Sequence, residues 1–140
     1  MDFALTFEQQ ALADSLDEFV VKELYPHEAI VEELRYVPDE IRKEIKRKSE
    51  EAGFAGMNLP EEWGGPGLDT QTLMQAERVL GKASGPLTMC MNRGVTKILF
   101  KCVGDQIEQY LKPAIRGERK DAFALTEPGA GSDARAIVTR

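Results

Sequence analysis

Apolar positions recur with helical spacing along most of the chain. Leu12, Leu16, Phe19 and Val20 fall at i, i+4, i+7 and i+8, one stripe of an amphipathic helix. Thr6 with Gln9 three residues later forms a capping box in front of it, and Pro26 predicts its end. A second helix is expected from Pro38, a favoured first-turn residue, with Asp39 and Glu40 near the positive end of its dipole and Ile41 and Ile45 inward. Gly53 is placed to close it in a left-handed cap. Residues 54–68 read as a loop, punctuated by Pro60, Pro66 and several glycines around Trp63. Asp69 then N-caps a helix carrying Leu73, Ala76, Val79 and Leu80, which Gly85-Pro86 breaks. A fourth helix is expected over Leu87 to Val103. Met89, Met91, Val95, Ile98, Leu99 and Phe100 make it apolar on several sides, as in a helix buried within a bundle. Asp105 and Glu108 start a short fifth helix ending near Pro113, with Ile107, Tyr110 and Leu111 inward, and Gly117 closes the helical part.

From Asp121 the pattern changes. Ala122 to Thr126 and Ala134 to Thr139 are short and lack helix caps, and the second is rich in β-branched residues. They read as strands flanking a Pro-Gly loop. The expected fold class is therefore mostly α: a helical bundle of about five helices over residues 1–118, then the first strands of a truncated β-domain over 119–140.

Composition narrows the function. A chain of 140 residues has room for one core, and its net charge of −6 argues against a nucleic-acid partner, which needs a basic face. Lys46, Arg47 and Lys48 look like a basic patch, but Glu44, Glu50 and Glu51 interleave, so a solvated helix face is expected. Cys90, Cys102 and His27 do not have metal-ligand spacing. Two lone cysteines fit a reducing compartment with apolar burial of each, and His27 is read as a surface residue without a catalytic role. Met1-Asp2-Phe3 does not open a signal peptide, and no apolar run approaches the ~20 residues of a membrane span. These features predict a cytoplasmic protein with no membrane span.

The candidate chemistry lies in the tail, Phe123-Ala124-Leu125-Thr126-Glu127-Pro128-Gly129-Ala130-Gly131-Ser132-Asp133. Glycines at 129 and 131 let a ligand approach the main chain, and successive amides in such a loop can form an anion-binding concavity. Thr126 and Ser132 add hydroxyl donors. Two readings remain open on residues alone. One is a wall for a pyrophosphate-bearing cofactor. The other is a Gly-rich connection whose hydroxyls bond their own backbone, and composition favours it, because a Gly-x-Gly pair is not the dinucleotide fingerprint.

The segment Thr126-Glu127-Pro128-Gly129-Ala130-Gly131-Ser132-Asp133, preceded by Phe123-Ala124-Leu125, resembles the first signature motif of the acyl-CoA dehydrogenase family. Leu59-Pro60-Glu61-Glu62-Trp63-Gly64-Gly65-Pro66-Gly67-Leu68 is similar to that family's loop after the second helical segment. Gly104-Asp105-Gln106, Tyr110-Leu111-Lys112 and Gly117-Glu118 match its approach to the signature strand. The resemblance runs through the whole chain with the motifs in order.

It implies a helical N-terminal domain, a middle β-domain and a C-terminal helical domain. FAD would sit between the last two. The family removes a proton from Cα and a hydride from Cβ of an acyl-CoA thioester, and electrons pass from the flavin to an electron-transferring flavoprotein. Carried over position by position, Phe123, Leu125 and Thr126 would contact the flavin. Gly131 and Ser132 would approach the FAD pyrophosphate, and Ser132 the pantetheine arm of the substrate. Met91 and Val95 would line the acyl cavity, or serve as ordinary core residues. Phe123 stands where many members carry tyrosine, which keeps stacking and removes a hydroxyl. Glu127 reads as a structural loop acid, because the family's base belongs to its C-terminal domain, and no catalytic residue is expected within the chain. Trp63 and Tyr110 read as loop-anchoring and core aromatics. The resemblance also implies a homo-oligomer, tetramer or dimer, with β-oxidation of fatty acids as the setting. The 140-residue chain alone is expected to be inactive and to self-associate through unpaired strand edges. Two alternatives stand: an acyl-CoA oxidase or flavin monooxygenase on the same scaffold, and a non-catalytic helical interaction module.

Overall fold

A computed structural model describes residues 4–122 and 124–139. Helix α1 (Phe7–Phe19) starts where the Thr6 hydroxyl accepts from the Gln9 amide at 3.2 Å and Gln9 Oε1 accepts from the Thr6 amide at 3.0 Å. This reciprocal pair satisfies two of the amides that a helix N-terminus leaves free. The helix buries Ala13, Leu16 and Phe19. The Pro26 stop is corrected: the chain passes through a π turn (Val20–Leu24) and a 3-10 turn (Tyr25–His27) into helix α2 (Glu28–Leu34). Arg35, left-handed at φ 61°, ends that path. His27 sits half-buried in the 3-10 turn.

Pro113 is likewise preceded by a π turn (Ile107–Leu111), and the helix ends near it, at Ile115. In both places the wide turn closes two residues before the proline, Leu24 before Pro26 and Leu111 before Pro113. A proline has no N–H to donate and its ring crowds the carbonyl four residues back, and the wider turn relieves both. The carbonyl four residues before Pro113, that of Gln109, accepts from Arg119 Nη1 at 3.0 Å.

Helix α3 (Asp39–Glu51) follows the Pro38 cap as expected. Its end is a Schellman turn, with the Gly53 amide on the Glu50 carbonyl at 3.1 Å, the Phe54 amide on the Ser49 carbonyl at 2.8 Å, and Gly53 left-handed at φ 77°. Helix α4 (Thr70–Leu80) starts on Asp69, whose Oδ1 accepts from the Thr72 amide at 2.7 Å, and packs on α1.

The expected long helix over Leu87 to Val103 is not formed. Helix α5 is short (Gly85–Thr88), a 3-10 turn follows (Met89–Met91), and Asn92 turns left-handed at φ 52°. The carbonyls of Asn92 and Arg93 then accept from the amides of Gly56 and Asn58 at 2.9 and 2.8 Å. That pairing across two loops takes the acceptors an α-helix would use. A further 3-10 turn covers Lys97–Lys101, with Ile98 and Val103 exposed, and helix α6 spans Lys112–Ile115. Tyr110, expected inward, is exposed, while Leu111 beside it is fully buried.

The core joins Leu16, Val20 and Leu24 to Ile45, Leu80, Leu87 and Met91. Burying each of the larger aliphatic side chains contributes about 1.5–3 kcal/mol. Phe19 meets Phe54 edge to face with ring centres 5.3 Å apart, so the α3-to-loop turn is anchored on α1. Ser49 is buried among these side chains and its Oγ donates to the Met91 carbonyl at 2.7 Å, tying α3 to the 3-10 turn.

The two expected strands are also corrected. Among the described residues there is no strand: residues 124–126 are irregular, Glu127 and Ala130 form one isolated antiparallel bridge, and Ala134–Ala136 is a 3-10 turn. Side chains account for it. The Glu127 carboxylate takes the Val138 and Thr139 amides, and Asp133 takes that of Arg135, so donors a sheet ladder needs are already engaged. No helix among the described residues is long and apolar enough to cross a membrane.

Candidate functional site

The signature loop is closed from within. The amides and carbonyls of Glu127 and Ala130 exchange two hydrogen bonds at 3.0 Å, and Ala130 is buried beneath them. The Glu127 carboxylate reaches across the loop, Oε2 accepting from the Val138 amide and Oε1 from the Thr139 amide, each at 3.0 Å. Hydrogen bonds from the Thr139 hydroxyl and from these two amides hold its carboxyl below the ordinary glutamate value. A carboxylate so engaged is a poor base and a good clasp.

Within the closed loop Leu125, Thr126, Gly131 and Ser132 are exposed, and a side chain added at Gly129 or Gly131 would meet nothing within 4 Å. The loop therefore offers two exposed hydroxyls and open main chain at its glycines. That donor set fits one wall of a site for a phosphate-bearing cofactor. Phe123 lies outside the described residues.

A second feature is a half-open cleft of about 400 Å³ between α3, the segment 92–96 and the segment 117–121. Its walls are tightly built. A Cβ on Gly117 would stand 2.9 Å from Asn92 Oδ1, and one on Gly94, at φ 155°, 2.9 Å from Asn58 Cβ. Lys46 Nζ donates to the Arg116 carbonyl at 3.3 Å, joining α3 to the far wall. Val95 lines this cleft; Met91 does not, being wholly buried with its carbonyl on Ser49. No described residue of the signature loop lines it.

Cys90 lies at the edge of the core and also lines the cleft. Burial raises its thiol above the ordinary cysteine value, against the opposing charges of Arg42 and Lys120. Cys102 is half-buried.

The sequence reading missed the charges around the cleft: Arg42, Lys46, Arg93, Arg119 and Lys120. The solvated helix face expected for 46–48 holds for Arg47, paired with Glu51, but Lys48 is half-buried and pairs with Glu23 of the π turn as well as with Glu44. Lys46 turns into the cleft instead. The i, i+4 spacing of Arg42 and Lys46 was a visible signal that both share a helix face. Their meeting with Arg119 and Lys120 depends on tertiary packing.

Residues 6–118 match the family model for the N-terminal domain of acyl-CoA dehydrogenases. The chain is 43% identical over 104 residues to 3-(aryl)acrylate reductase of Clostridium sporogenes, covering 71% of this chain and 28% of that protein. It is 35% identical to benzylmalonyl-CoA dehydrogenase of Aromatoleum aromaticum, covering 99% of this chain and 37% of that protein. Among solved structures it superposes, with a TM-score of 0.71 and 35% identity, on a chain from work on the electron transferring flavoprotein of Acidaminococcus fermentans and flavin-based electron bifurcation. The match covers 97% of this chain and 36% of that one. The chain thus spans between 28% and 37% of the length of these two curated relatives.

Proposed function

Since this chain belongs to the acyl-CoA dehydrogenase family, we propose that the whole protein is an FAD-dependent oxidoreductase that oxidises the Cα–Cβ bond of an acyl-CoA thioester. The match over residues 6–118 carries the reading. In it, residues 1–118 form the helical domain and 119–140 lead into a β-domain. When bound, FAD supplies the hydride acceptor. The chain's own residues would bind and orient: Phe123, Leu125 and Thr126 would contact the flavin, and Gly131 and Ser132 would offer open main chain and a hydroxyl to the pyrophosphate, with Ser132 also toward the pantetheine arm. Glu127 holds that loop closed and takes no proton from substrate. Val95 meets the acyl group from the cleft, while Met91 supports the wall from within the core. An electron-transferring flavoprotein is the proposed acceptor, in keeping with the structure on which the chain superposes.

The test is anaerobic addition of an acyl-CoA to the full-length protein, followed by air. Bleaching of the flavin band with slow reoxidation is expected. Rapid reoxidation would point to an oxidase, and no bound flavin would remove the reading altogether. A second reading, reduction of a 2-enoyl thioester or acid, is favoured by the reductase from Clostridium sporogenes at 43% identity. Flavin reduced chemically and then reoxidised faster by a 2-enoyl-CoA than acyl-CoA bleaches it would select that direction.

A further inference from the structure

We infer that the cleft between α3, residues 92–96 and residues 117–121 is a subsite for a carboxylate carried on a short hydrocarbon. It rests on the proposed function in one respect only, that this hydrocarbon is the far end of an acyl group. The charge distribution is the first argument. Five cations line the cleft, Arg42, Lys46, Arg93, Arg119 and Lys120, against the single carboxylate of Asp121, in a chain whose net charge is −6. A concave wall of one sign focuses potential into its interior.

The partners of these cations do not fill the cleft. Arg93 pairs with Glu77, Arg42 Nε lies 3.5 Å from Asp39, and Lys46 lies 3.8 Å from Glu50, and none of these three carboxylates belongs to the lining. Arg119 donates to the neutral carbonyl of Gln109, and the Glu118 carboxylate, which interacts with Arg119 and Lys46, also lies outside the lining. Arg42, Lys120 and the Cys90 thiol all belong to the lining of this one cleft.

The apolar part of the lining is the second argument. Cys90 and Ala114, both buried, and half-buried Val95 add apolar surface to a lining that also carries the cations. A bare anion would leave that surface wet, and a neutral hydrocarbon would leave the cations unused. A carboxylate on a few methylenes uses both, through charge-assisted hydrogen bonds to the cations and burial against the apolar lining. The volume, about 400 Å³, lies in the range of small-molecule sites.

The probes are butyrate, butyramide and inorganic phosphate, titrated into the full chain while the amide signals of Gly94, Val95 and Gly117 are followed by NMR. Butyrate is expected to shift them saturably, with butyramide and phosphate at least tenfold weaker. Lys120→Gln and Arg42→Gln should each weaken butyrate at least fivefold. Lys120→Gln carries the test if loss of the Arg42 bond to the Val37 carbonyl perturbs folding. Equal binding of butyramide, equal binding of phosphate, no saturable shift, or indifference to Lys120→Gln would each overturn the inference. None of these measurements uses flavin, so failure of the proposed function, read as loss of FAD binding, is seen separately.

Discussion

Gln9 Nε2 donates to Thr72 Oγ1 at 2.9 Å, so one amide side chain serves the N-termini of two helices. Its oxygen completes the capping box of α1, and its nitrogen holds the buried residue whose amide Asp69 caps at the start of α4. Two local signals in the sequence thereby become one tertiary contact. Gln9→Ala is expected to cost about 1–2 kcal/mol, a cap plus a part-buried hydrogen bond. Combined with Thr72→Val in a double-mutant cycle under urea, the pair should couple by about 0.5–1 kcal/mol. Strict additivity would mean that the contact between the helices contributes nothing.

Ser49 is the buried polar link between α3 and the turn carrying Met91, and its hydroxyl donates to the Met91 carbonyl at 2.7 Å. Ser49→Ala removes the donor without opening a large cavity. The expected loss is about 1–3 kcal/mol, the cost of an unpaired buried carbonyl. The same substitution should loosen residues 92–96, seen as faster amide exchange there.

Gly65 stands in the loop after α3, where an added Cβ would lie 2.1 Å from the Leu59 carbonyl oxygen. Gly65→Ala must move the backbone, and the expected cost is about 1–3 kcal/mol with the Trp63 fluorescence altered. Gly85→Ala, where an added Cβ meets nothing within 4 Å, is the matched control and should cost far less.

Asp69 and Glu127 both ionise more readily in the folded chain. The Thr72 amide is the main cause for Asp69, and the Thr139 hydroxyl for Glu127. A depressed folded pKa stabilises above the unfolded value and is lost as pH falls through the folded one. Stability should therefore hold down to the ordinary glutamate and aspartate values, 4.5 and 3.8, and decline below them. The Val138 and Thr139 amide shifts should report the Glu127 step, and Glu127→Gln should abolish it. Shifts that follow an ordinary glutamate titration would show that the clasp is absent.

Cys90 is 5% exposed and its thiol is raised by burial, whereas Cys102 is half-buried. The thiolate is the reactive form. Iodoacetamide at mildly alkaline pH is expected to label Cys102 at least tenfold faster than Cys90, read by peptide mass. Equal rates would mean that the lining of the cleft opens readily.

The sequence by itself determined the elements whose causes are local. The Thr6–Gln9 box, the Asp69 cap and the Gly53 terminus are each written within a few residues, and all three form as read. So is the family, because its motifs are contiguous. Tertiary structure decided the rest. Pro26 does not end its helical path, because a wide turn absorbs the missing donor, whereas the helix at Pro113 ends near it, at Ile115. The apolar run after Leu87 is not one helix, because Gly56 and Asn58 claim the carbonyls of Asn92 and Arg93. The tail is a clasped loop and not a pair of strands, because Glu127 takes the amides of Val138 and Thr139. The cationic cleft could not be read from spacing, since it gathers α3, the segment 92–96 and the segment 117–121. Hydrogen-bond partners and charges distant along the chain are chosen by packing, and periodicity carries no record of that choice.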